Sequence, residues 1–294
     1  MATLAQWVHG ARPRTLPAAV APVLAGTGSA SALHGAAPGR AVLALLVSLC
    51  LQVGVNYAND YSDGIRGTDA RRVGPVRLVG QALAEPVQVK VAAFGAFAAA
   101  AALGLALVAV SGTWWLLLVG AASIAAAWYY TGGRHPYGYA GLGELFVFVF
   151  FGLVATLGTT YTQAGRVDLA TVAAAVGVGA LACALLVANN LRDIPDDRRH
   201  GKLTLAVRLG DRRTRTLYAL LVAAALLAVA VAGSVHRTAL VAVLAFALAV
   251  PLLRLVRGGA TGRELVPALL GTGRLELVYA ALLALGLGAS RHLG

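Results

Sequence analysis

Charged residues are scarce in this 294-residue chain. Asp, Glu, Lys and Arg together make up 12% of it, whereas about a quarter of a soluble globular protein is charged. Hydrophobic residues make up 59%, and the mean hydropathy is +0.77. Apolar runs of roughly 20 residues recur along the chain, and each is long enough to cross about 30 Å of hydrocarbon. These features argue against a soluble fold and predict an all-α, polytopic membrane protein.

Cysteine and paired histidine are also lacking. The two cysteines, Cys50 and Cys183, both fall inside apolar runs, which argues against a disulfide framework and a thiolate metal site. The six histidines are scattered and never pair at the spacing of metal ligands, which argues against a zinc site. Acidic residues are few as well, 12 against 24 basic ones, but half of them are concentrated in two stretches.

The apolar runs predict about nine transmembrane helices around a central cavity, in a single domain covering residues 1–294. A pseudo-repeat of four helices over roughly 15–131 and 141–256, plus a ninth helix, is possible. Pro251 predicts a kink in the eighth span. The predicted spans are approximately 15–34, 41–60, 87–110, 113–131, 141–163, 168–190, 215–233, 238–256 and 274–291.

Lys and Arg are divided unevenly between alternate connections. If the N-terminus lies inside, the basic residues fall on the inner side except for Arg40, Arg166, Arg237 and Arg291. Among the acids, only Asp168 lies on the outer side. The positive-inside rule therefore predicts a plasma-membrane protein whose N-terminus, acidic stretches and cavity mouth face the cytoplasm.

Acids and amides cluster where the second and sixth spans end. The first stretch contains Asn56, Asn59, Asp60, Asp63 and Asp69, and the second contains Asn189, Asn190, Asp193, Asp196 and Asp197. The pattern Asn56-x-x-x-Asp60 recurs as Asn189-x-x-x-Asp193, and this spacing places each pair on one helical face. Two four-helix halves would bring the two faces together across the cavity.

An oxygen-only set of side chains suits Mg²⁺, which usually binds a few carboxylates together with substrate phosphates. The predicted metal ligands are Asn56, Asp60, Asp63, Asp69, Asp193 and Asp197. The predicted partners of the remaining substrate oxygens are Arg66, Arg77, Arg192, Arg198 and Lys202, with Asn59, Asn189 and Asn190 beside them. Because the site opens into apolar helices, the ligand implied is a diphosphate attached to a lipid chain.

Purely structural roles stay open at several of these positions. Asp63 and Asp69 could be solvated loop residues, and Asp196 lies off the Asp193-x-x-x-Asp197 face. Asn56 and Asn189 could be interhelical hydrogen-bonding groups that hold no metal.

A third stretch, residues 128–144, is rich in aromatic residues and glycine. It could be a belt of interface aromatics. Beside a diphosphate site, its aromatic faces could also stabilise a carbocation through the ring quadrupole. Tyr130 and Tyr137 are the candidates for that role.

These stretches resemble the UbiA superfamily of intramembrane aromatic prenyltransferases, which have nine transmembrane helices and two acidic motifs at cytoplasmic helix ends. Asn59-Asp-Tyr-Ser-Asp63 matches the start of the first motif, Asn-Asp-x-x-Asp-x-x-x-Asp, and Asp193-Ile-Pro-Asp-Asp197 matches the second. Asp69 departs from the pattern, because it lies six residues beyond Asp63 rather than four. Three stretches, 11–17, 59–77 and 136–144, are most similar to the branch that prenylates 1,4-dihydroxy-2-naphthoate in menaquinone biosynthesis.

The resemblance implies Mg²⁺-dependent transfer of a polyprenyl group from polyprenyl diphosphate to 1,4-dihydroxy-2-naphthoate, with loss of its carboxylate, to give demethylmenaquinone. Arg12 or Arg14, beside the first span, would meet the acceptor's carboxylate. The expected catalytic residues are Asp60, Asp63, Asp193, Asp197, Lys202 and Tyr130.

Other functions remain open. Another aromatic acceptor and a cation-coupled transporter are alternatives, but a transporter's acids should lie near mid-span. The Asp-Gly-x-x-Ala-Arg signature of CDP-alcohol phosphatidyltransferases is absent.

Overall fold

The computed structural model describes residues 2–67 and 76–291, and over these residues the chain is helical with no β-strand. Ala and Leu, which dominate the apolar runs, are strong helix formers. Proline stands in the first turn of several helices, where its missing N–H costs no intrahelical bond, as at Pro17, Pro38 and Pro86. The helices are α1 Leu4–Gly10, α2 Pro17–Ala32, α3 Pro38–Ile65, α4 Pro86–Ser111, α5 Leu116–Tyr129, α6 Gly143–Val147, α7 Ala155–Ala164, α8 Leu169–Arg199, α9 Leu205–Val235, α10 Ala249–Arg257 and α11 Val266–Ser290.

Each of the nine predicted spans coincides with a helical segment, but not all of these are long. Within the described residues, six helices are long and apolar enough to cross a membrane, or seven if a bent pair is counted as one span. The first and fourth predicted spans fall on α2 and α5, which have 16 and 14 residues. At 1.5 Å per residue, both are shorter than the roughly 30 Å of a bilayer's hydrocarbon core. The all-α membrane fold is confirmed, and within the described residues six or seven of the predicted spans are long and apolar enough to cross a membrane by length and composition.

The predicted kink in the eighth span is present. The 3₁₀ stretch Arg237–Ala247 meets α10 at an angle of 47°. A proline ring clashes with the carbonyl four residues earlier, and for Pro251 that carbonyl belongs to Ala247, the last residue before the bend. The break therefore has a local cause in the sequence.

A π-helical turn, Phe148–Val154, joins α6 and α7 into one helix over Gly143–Ala164. This turn packs directly against α8 at two glycines: a Cβ on Gly152 would lie 2.5 Å from the Cα of Gly179. Small residues let membrane helices approach this closely. The contact fixes the π-helical turn, and the aromatic residues on it, relative to α8.

The most tightly packed part of the molecule surrounds α8. Side chains of α8, α9 and α11 form the main apolar core, together with parts of α2 and the stretch 237–247. The other side of the bundle, between α3, α4, α5, α7 and α8, encloses a cavity of about 1380 Å³. The acidic ends of α3 and α8 lie at this cavity.

Candidate active site

Both acidic stretches lie on helices, because α3 continues to Ile65 and α8 to Arg199, beyond the predicted ends of their spans. The spacing of the motif residues is therefore fixed by helical geometry. Helices α3 and α8 supply the polar motif side chains that line the cavity. The connections that follow these two helices supply further cations. The cavity-lining members of the predicted site are Asn56, Asn59, Asp63, Arg77, Tyr130, Tyr137, Asn189, Asn190, Arg192, Lys202 and Arg12, with Arg14 beside them.

Asp63 joins three separate parts of the chain. Its Oδ1 accepts a 2.5 Å hydrogen bond from the hydroxyl of Tyr139, which lies in the connection between α5 and α6. Its Oδ2 lies 3.9 Å from Nζ of Lys202, in the connection between α8 and α9. The same ammonium lies 4.7 Å from the centre of the Tyr139 ring. Asp63, Tyr139 and Lys202 thus form an acid–phenol–ammonium cluster, in which Asp63 and Lys202 are buried and line the cavity.

Asn59, one helical turn before Asp63, is held by the same connection. The hydroxyl of Thr131 donates a 2.8 Å hydrogen bond to its Oδ1. Arg66 donates to the carbonyls of Thr131 and Gly133, each at 2.5 Å. Arg66 was predicted to bind phosphate, but it is not among the described residues that line the cavity. Here it fastens the connection between α5 and α6 to the end of α3.

Arg192 organises the second acidic stretch. Its guanidinium contacts both oxygens of Asp193, with Nε 2.7 Å from Oδ1 and Nη2 2.8 Å from Oδ2. Nη2 also donates to Oδ1 of Asn189 at 2.9 Å. A fork of this kind fixes geometry as well as charge. Asn189 and Asp193 therefore lie on one face of α8, as predicted.

The turn that follows α8 brings Lys202 back to the site. The backbone N–H of Lys202 donates to the carbonyl of Asp197 at 2.8 Å, and the Asp197 side chain is buried. Arg198, predicted to bind substrate, is exposed and does not line the cavity. Asp196 pairs with Arg199 at 3.6 Å on the surface, which fits the solvated reading of that acid.

Two predicted metal ligands on α3 have other partners. Asp60 is fully buried, and its two oxygens accept hydrogen bonds from the backbone N–H groups of Leu78 at 2.7 Å and Val79 at 3.0 Å. Asn56 lines the cavity, but its Nδ2 donates to the carbonyl of Ala11 at 2.8 Å. Asp60 is not among the residues that line the cavity, and neither are the predicted ligands Asp193 and Asp197.

Asn59 and Asp63 have the same four-residue spacing as Asn56 and Asp60 and as Asn189 and Asp193. Of the two pairs on α3, Asn59 and Asp63 are the ones that contact the connection between α5 and α6, through Thr131 and Tyr139. The predicted ligand Asp69 lies outside the described residues.

Aromatic rings follow one wall of the cavity from the polar end inward. The Tyr130 and Tyr137 rings meet edge to face at 5.5 Å, and Tyr137 stacks on Phe146 at 3.9 Å. Phe146 in turn lies 6.0 Å from Phe150, on the π-helical turn. Burial raises the pKa of the Tyr137 phenol, and its hydroxyl donates to the carbonyl of Ala126 at 2.8 Å. Tyr137 is therefore neutral and presents its ring.

Three residues of the site were not predicted from the sequence. Tyr139 and Thr131 contact Asp63 and Asn59 directly. Glu144 accepts a 3.0 Å hydrogen bond from Nδ2 of Asn190. All three lie in or beside the aromatic stretch that was singled out, but nothing in the sequence distinguishes Tyr139 from its neighbouring tyrosines.

The side chains at the polar end are suited to a hard cation. Asn59, Asp63 and Asn189 line the cavity, and Arg192 joins Asn189 to Asp193. Amide and carboxylate oxygens of this kind are the donors that Mg²⁺ prefers. Within the described residues, no group of three or more His, Cys, Asp or Glu side chains converges on one point. Mg²⁺ usually binds through a few carboxylates together with substrate phosphates, and the oxygen donors of this site fit that mode.

Comparison with known proteins agrees with this fold. Residues 19–264 match the UbiA prenyltransferase family. A protein of Mycobacterium tuberculosis named 1,4-dihydroxy-2-naphthoate octaprenyltransferase is 58% identical over 97% of both chains. Its namesake from Mycobacterium leprae is 55% identical over 97% of this chain and 96% of that one.

A solved structure shows the same fold at low identity. It is a UbiA homolog from Archaeoglobus fulgidus bound to GPP and Mg²⁺, with a TM-score of 0.71 and 15% identity over 97% of this chain and 99% of that chain. The family match covers most of the sequence, and the curated relatives match it nearly end to end. The chain belongs to the UbiA prenyltransferase family.

Proposed function

We propose that the protein transfers a polyprenyl group from polyprenyl diphosphate to 1,4-dihydroxy-2-naphthoate, with loss of the acceptor's carboxylate, in menaquinone biosynthesis. The observation that carries the proposal is the meeting of Asp63 with Lys202 and Tyr139 at one end of a cavity that is otherwise mainly apolar. The two mycobacterial relatives support it through their names and their identities over almost the whole chain.

The polar end is proposed to hold the diphosphate. Lys202 and Arg192 approach it from the α8 side, and Arg77 from the connection after α3. Cations placed where negative charge develops on a leaving group stabilise the transition state. Asn59, Asp63, Asn189, Asp193 and Asp197 are the proposed Mg²⁺-binding residues, and Mg²⁺ would supply further neutralisation of the leaving diphosphate.

The apolar wall is proposed to hold and protect the prenyl group. Tyr130 and Tyr137 lie at its polar end, and aromatic faces attract a developing allylic cation. Exclusion of water from this wall prevents hydrolysis of that cation. The cavity continues past Phe146 and Phe150 between α4, α5 and α7, which leaves room for a long isoprenoid tail.

The covalent change is a substitution on the acceptor ring. The allylic C–O bond breaks and its electron pair leaves with diphosphate. A new C–C bond joins the allylic carbon to the ring, whose carboxylate departs as carbon dioxide and leaves its electron pair in the ring. The immediate product is the quinol form of demethylmenaquinone, and its two-electron oxidation to the quinone is a separate step that needs an external electron acceptor.

The membrane topology is proposed from the distribution of charge. All the basic residues named at the active site lie in segments that the positive-inside rule assigns to the cytoplasmic side. The substrates would then enter from the cytoplasmic side, and the prenyl tail would extend toward the bilayer interior. Family membership supports this enzyme reading over a cation-coupled transporter.

The test uses detergent-purified protein with a long-chain prenyl diphosphate and either 1,4-dihydroxy-2-naphthoate or 4-hydroxybenzoate. We expect a prenylated naphthoquinol only with the naphthoate, only in the presence of Mg²⁺, and not with the Asp63→Asn variant. Prenylation of 4-hydroxybenzoate instead would support the alternative of another aromatic acceptor. Absence of any prenylated product from folded protein would contradict the proposal.

A further inference from the structure

The segment before α2 contains a turn with an unusual backbone. Arg12 adopts φ 54°, in the left-handed region that disfavours residues with a Cβ atom. It also precedes Pro13, and a residue before proline is driven toward extended conformations. A conformation of this kind persists only where the surroundings hold it.

The hydroxyl of Thr15 is the centre of the contacts that hold this turn. It donates to the carbonyl of Arg12 at 2.9 Å. It accepts from Nδ2 of Asn56 and from Nε2 of Gln52, each at 3.0 Å. A threonine hydroxyl has one donor and two acceptor positions, so all of its capacity is used here.

Asn56 also holds the peptide on the other side of Arg12. Its Nδ2 donates to the carbonyl of Ala11 at 2.8 Å. The carbonyl of Ala11 therefore accepts a hydrogen bond from Asn56, and the carbonyl of Arg12 accepts one from Thr15.

The two amides lie on α3, one helical turn apart. Gln52 and Asn56 are 6% and 3% exposed. A buried amide in an apolar helix is costly unless it is hydrogen-bonded, and most of their hydrogen-bond partners lie on the N-terminal turn. The same helix carries Asn59 and Asp63, so it sets the position of the turn relative to the acidic end of the cavity.

The turn presents cations to the cavity. Arg12, Arg14 and Thr15 all line it. These cations come from the N-terminal segment, which contacts α2 and α11, whereas Arg192 and Lys202 come from α8 and the turn after it. The proposed reaction brings two anionic groups together, a diphosphate and an aromatic carboxylate. The cavity supplies two cationic groups from separate elements.

We infer that Thr15, Gln52 and Asn56 are positioning residues that hold the Arg12 turn in place to bind the carboxylate of the aromatic acceptor. This inference rests on the proposed function and refines it. It also gives Asn56 a role other than metal binding. The hydrogen bonds of Thr15, Gln52 and Asn56 should affect binding of the aromatic acceptor and not of the prenyl diphosphate. The Arg12 turn and the cations proposed to bind the diphosphate belong to different parts of the chain.

The test compares Thr15→Val, which keeps the shape and removes the hydroxyl, with Thr15→Ser, which keeps the hydroxyl. Their competitive inhibition by 1-hydroxy-2-naphthoate is set against that by 1-naphthol, which lacks the carboxylate. For Thr15→Val we expect about a tenfold weaker inhibition by the naphthoate, as for loss of a hydrogen bond to a charged group. Inhibition by 1-naphthol and the KM for prenyl diphosphate should stay within about twofold, and Thr15→Ser should retain tight naphthoate inhibition.

Three outcomes would overturn the inference. These are unchanged naphthoate inhibition in Thr15→Val, equal weakening of both inhibitors, and a rise in the KM for prenyl diphosphate alone. Gln52→Met, which removes one of the two amides and preserves size, provides the same comparison if Thr15→Val does not fold. Failure of the wild-type protein to prenylate 1,4-dihydroxy-2-naphthoate would refute the proposed function itself, and direct binding of 1-hydroxy-2-naphthoate would still report on the turn.

Discussion

Tyr139 donates a 2.5 Å hydrogen bond to Asp63 and so connects the aromatic segment between α5 and α6 to the first acidic stretch. The phenol ring is also near two cations, with Arg66 at 5.3 Å and Lys202 at 4.7 Å from its centre. A group that fixes the orientation of a carboxylate near a metal affects metal affinity without binding the metal itself. Tyr139 has that position relative to Asp63.

Removal of the Tyr139 hydroxyl should lower the apparent affinity of the enzyme for Mg²⁺. We expect Tyr139→Phe to raise the Mg²⁺ concentration for half-maximal activity by about tenfold, because Asp63 loses the bond that orients it. Tyr129→Phe is a matched control, since Tyr129 is exposed and does not line the cavity. The measurement is prenyl transfer as a function of Mg²⁺ concentration. An unchanged Mg²⁺ requirement in Tyr139→Phe would show that the bond has no such role.

Asp60 and Asp63 should differ in the way their loss impairs the enzyme. Asp63→Ala should abolish turnover at every Mg²⁺ concentration, because it removes a proposed ligand. Asp60→Ala should lower kcat/KM for prenyl diphosphate and leave the Mg²⁺ requirement unchanged, because it releases the backbone of Leu78 and Val79 and with it the adjacent Arg77. A raised Mg²⁺ requirement in Asp60→Ala would instead support the metal-binding role predicted from the sequence.

Much of the fold is predictable because the length of an apolar run and the position of a proline determine where a helix forms and where it bends. The predicted span 87–110 falls on Pro86–Ser111, and the predicted kink near Pro251 lies at Ala247. The shortness of α2 and α5 was not predictable, because their apolar runs continue beyond the helices into turns. The π-helical turn was missed as well, since it depends on contact with α8.

The candidate site was predictable in composition but not in orientation. Two Asn-x-x-x-Asp patterns overlap at the end of α3, and four-residue spacing alone cannot decide between Asn56 with Asp60 and Asn59 with Asp63. The choice depends on what each face meets, namely the Ala11 carbonyl on one side and Tyr139 on the other. Such partners are distant in sequence and are visible only in the folded chain.

Arg192 should not be replaceable by lysine. Its guanidinium contacts both oxygens of Asp193 and also Asn189, and an ammonium group cannot reproduce that fork. We expect Arg192→Lys to lower kcat/KM for prenyl diphosphate by about tenfold. Arg198→Lys serves as the comparison, because Arg198 is exposed and outside the cavity. Similar losses in both variants would mean that the exposed arginine also contributes to the site.

The proposed topology can be tested by labelling single cysteines. In a variant without Cys50 and Cys183, a cysteine at the exposed position 198 should react with a membrane-impermeant maleimide only from the cytoplasmic side. A cysteine at the exposed position 166 should react only from the outside. The changes are Arg198→Cys and Arg166→Cys, each introduced alone. The opposite labelling pattern would invert the proposed orientation and place the acidic stretches outside.

The central claim is a prenyl transfer that replaces the carboxylate of the naphthoate, and its most direct test counts the two leaving groups. Purified protein would receive 1,4-dihydroxy-2-naphthoate labelled with ¹³C in the carboxylate, a long-chain prenyl diphosphate and Mg²⁺. We expect labelled carbon dioxide and diphosphate to appear in equal amounts, each matched by one prenylated quinol. Release of diphosphate without labelled carbon dioxide would contradict the account, because the prenyl group would then be going to water or to a different acceptor.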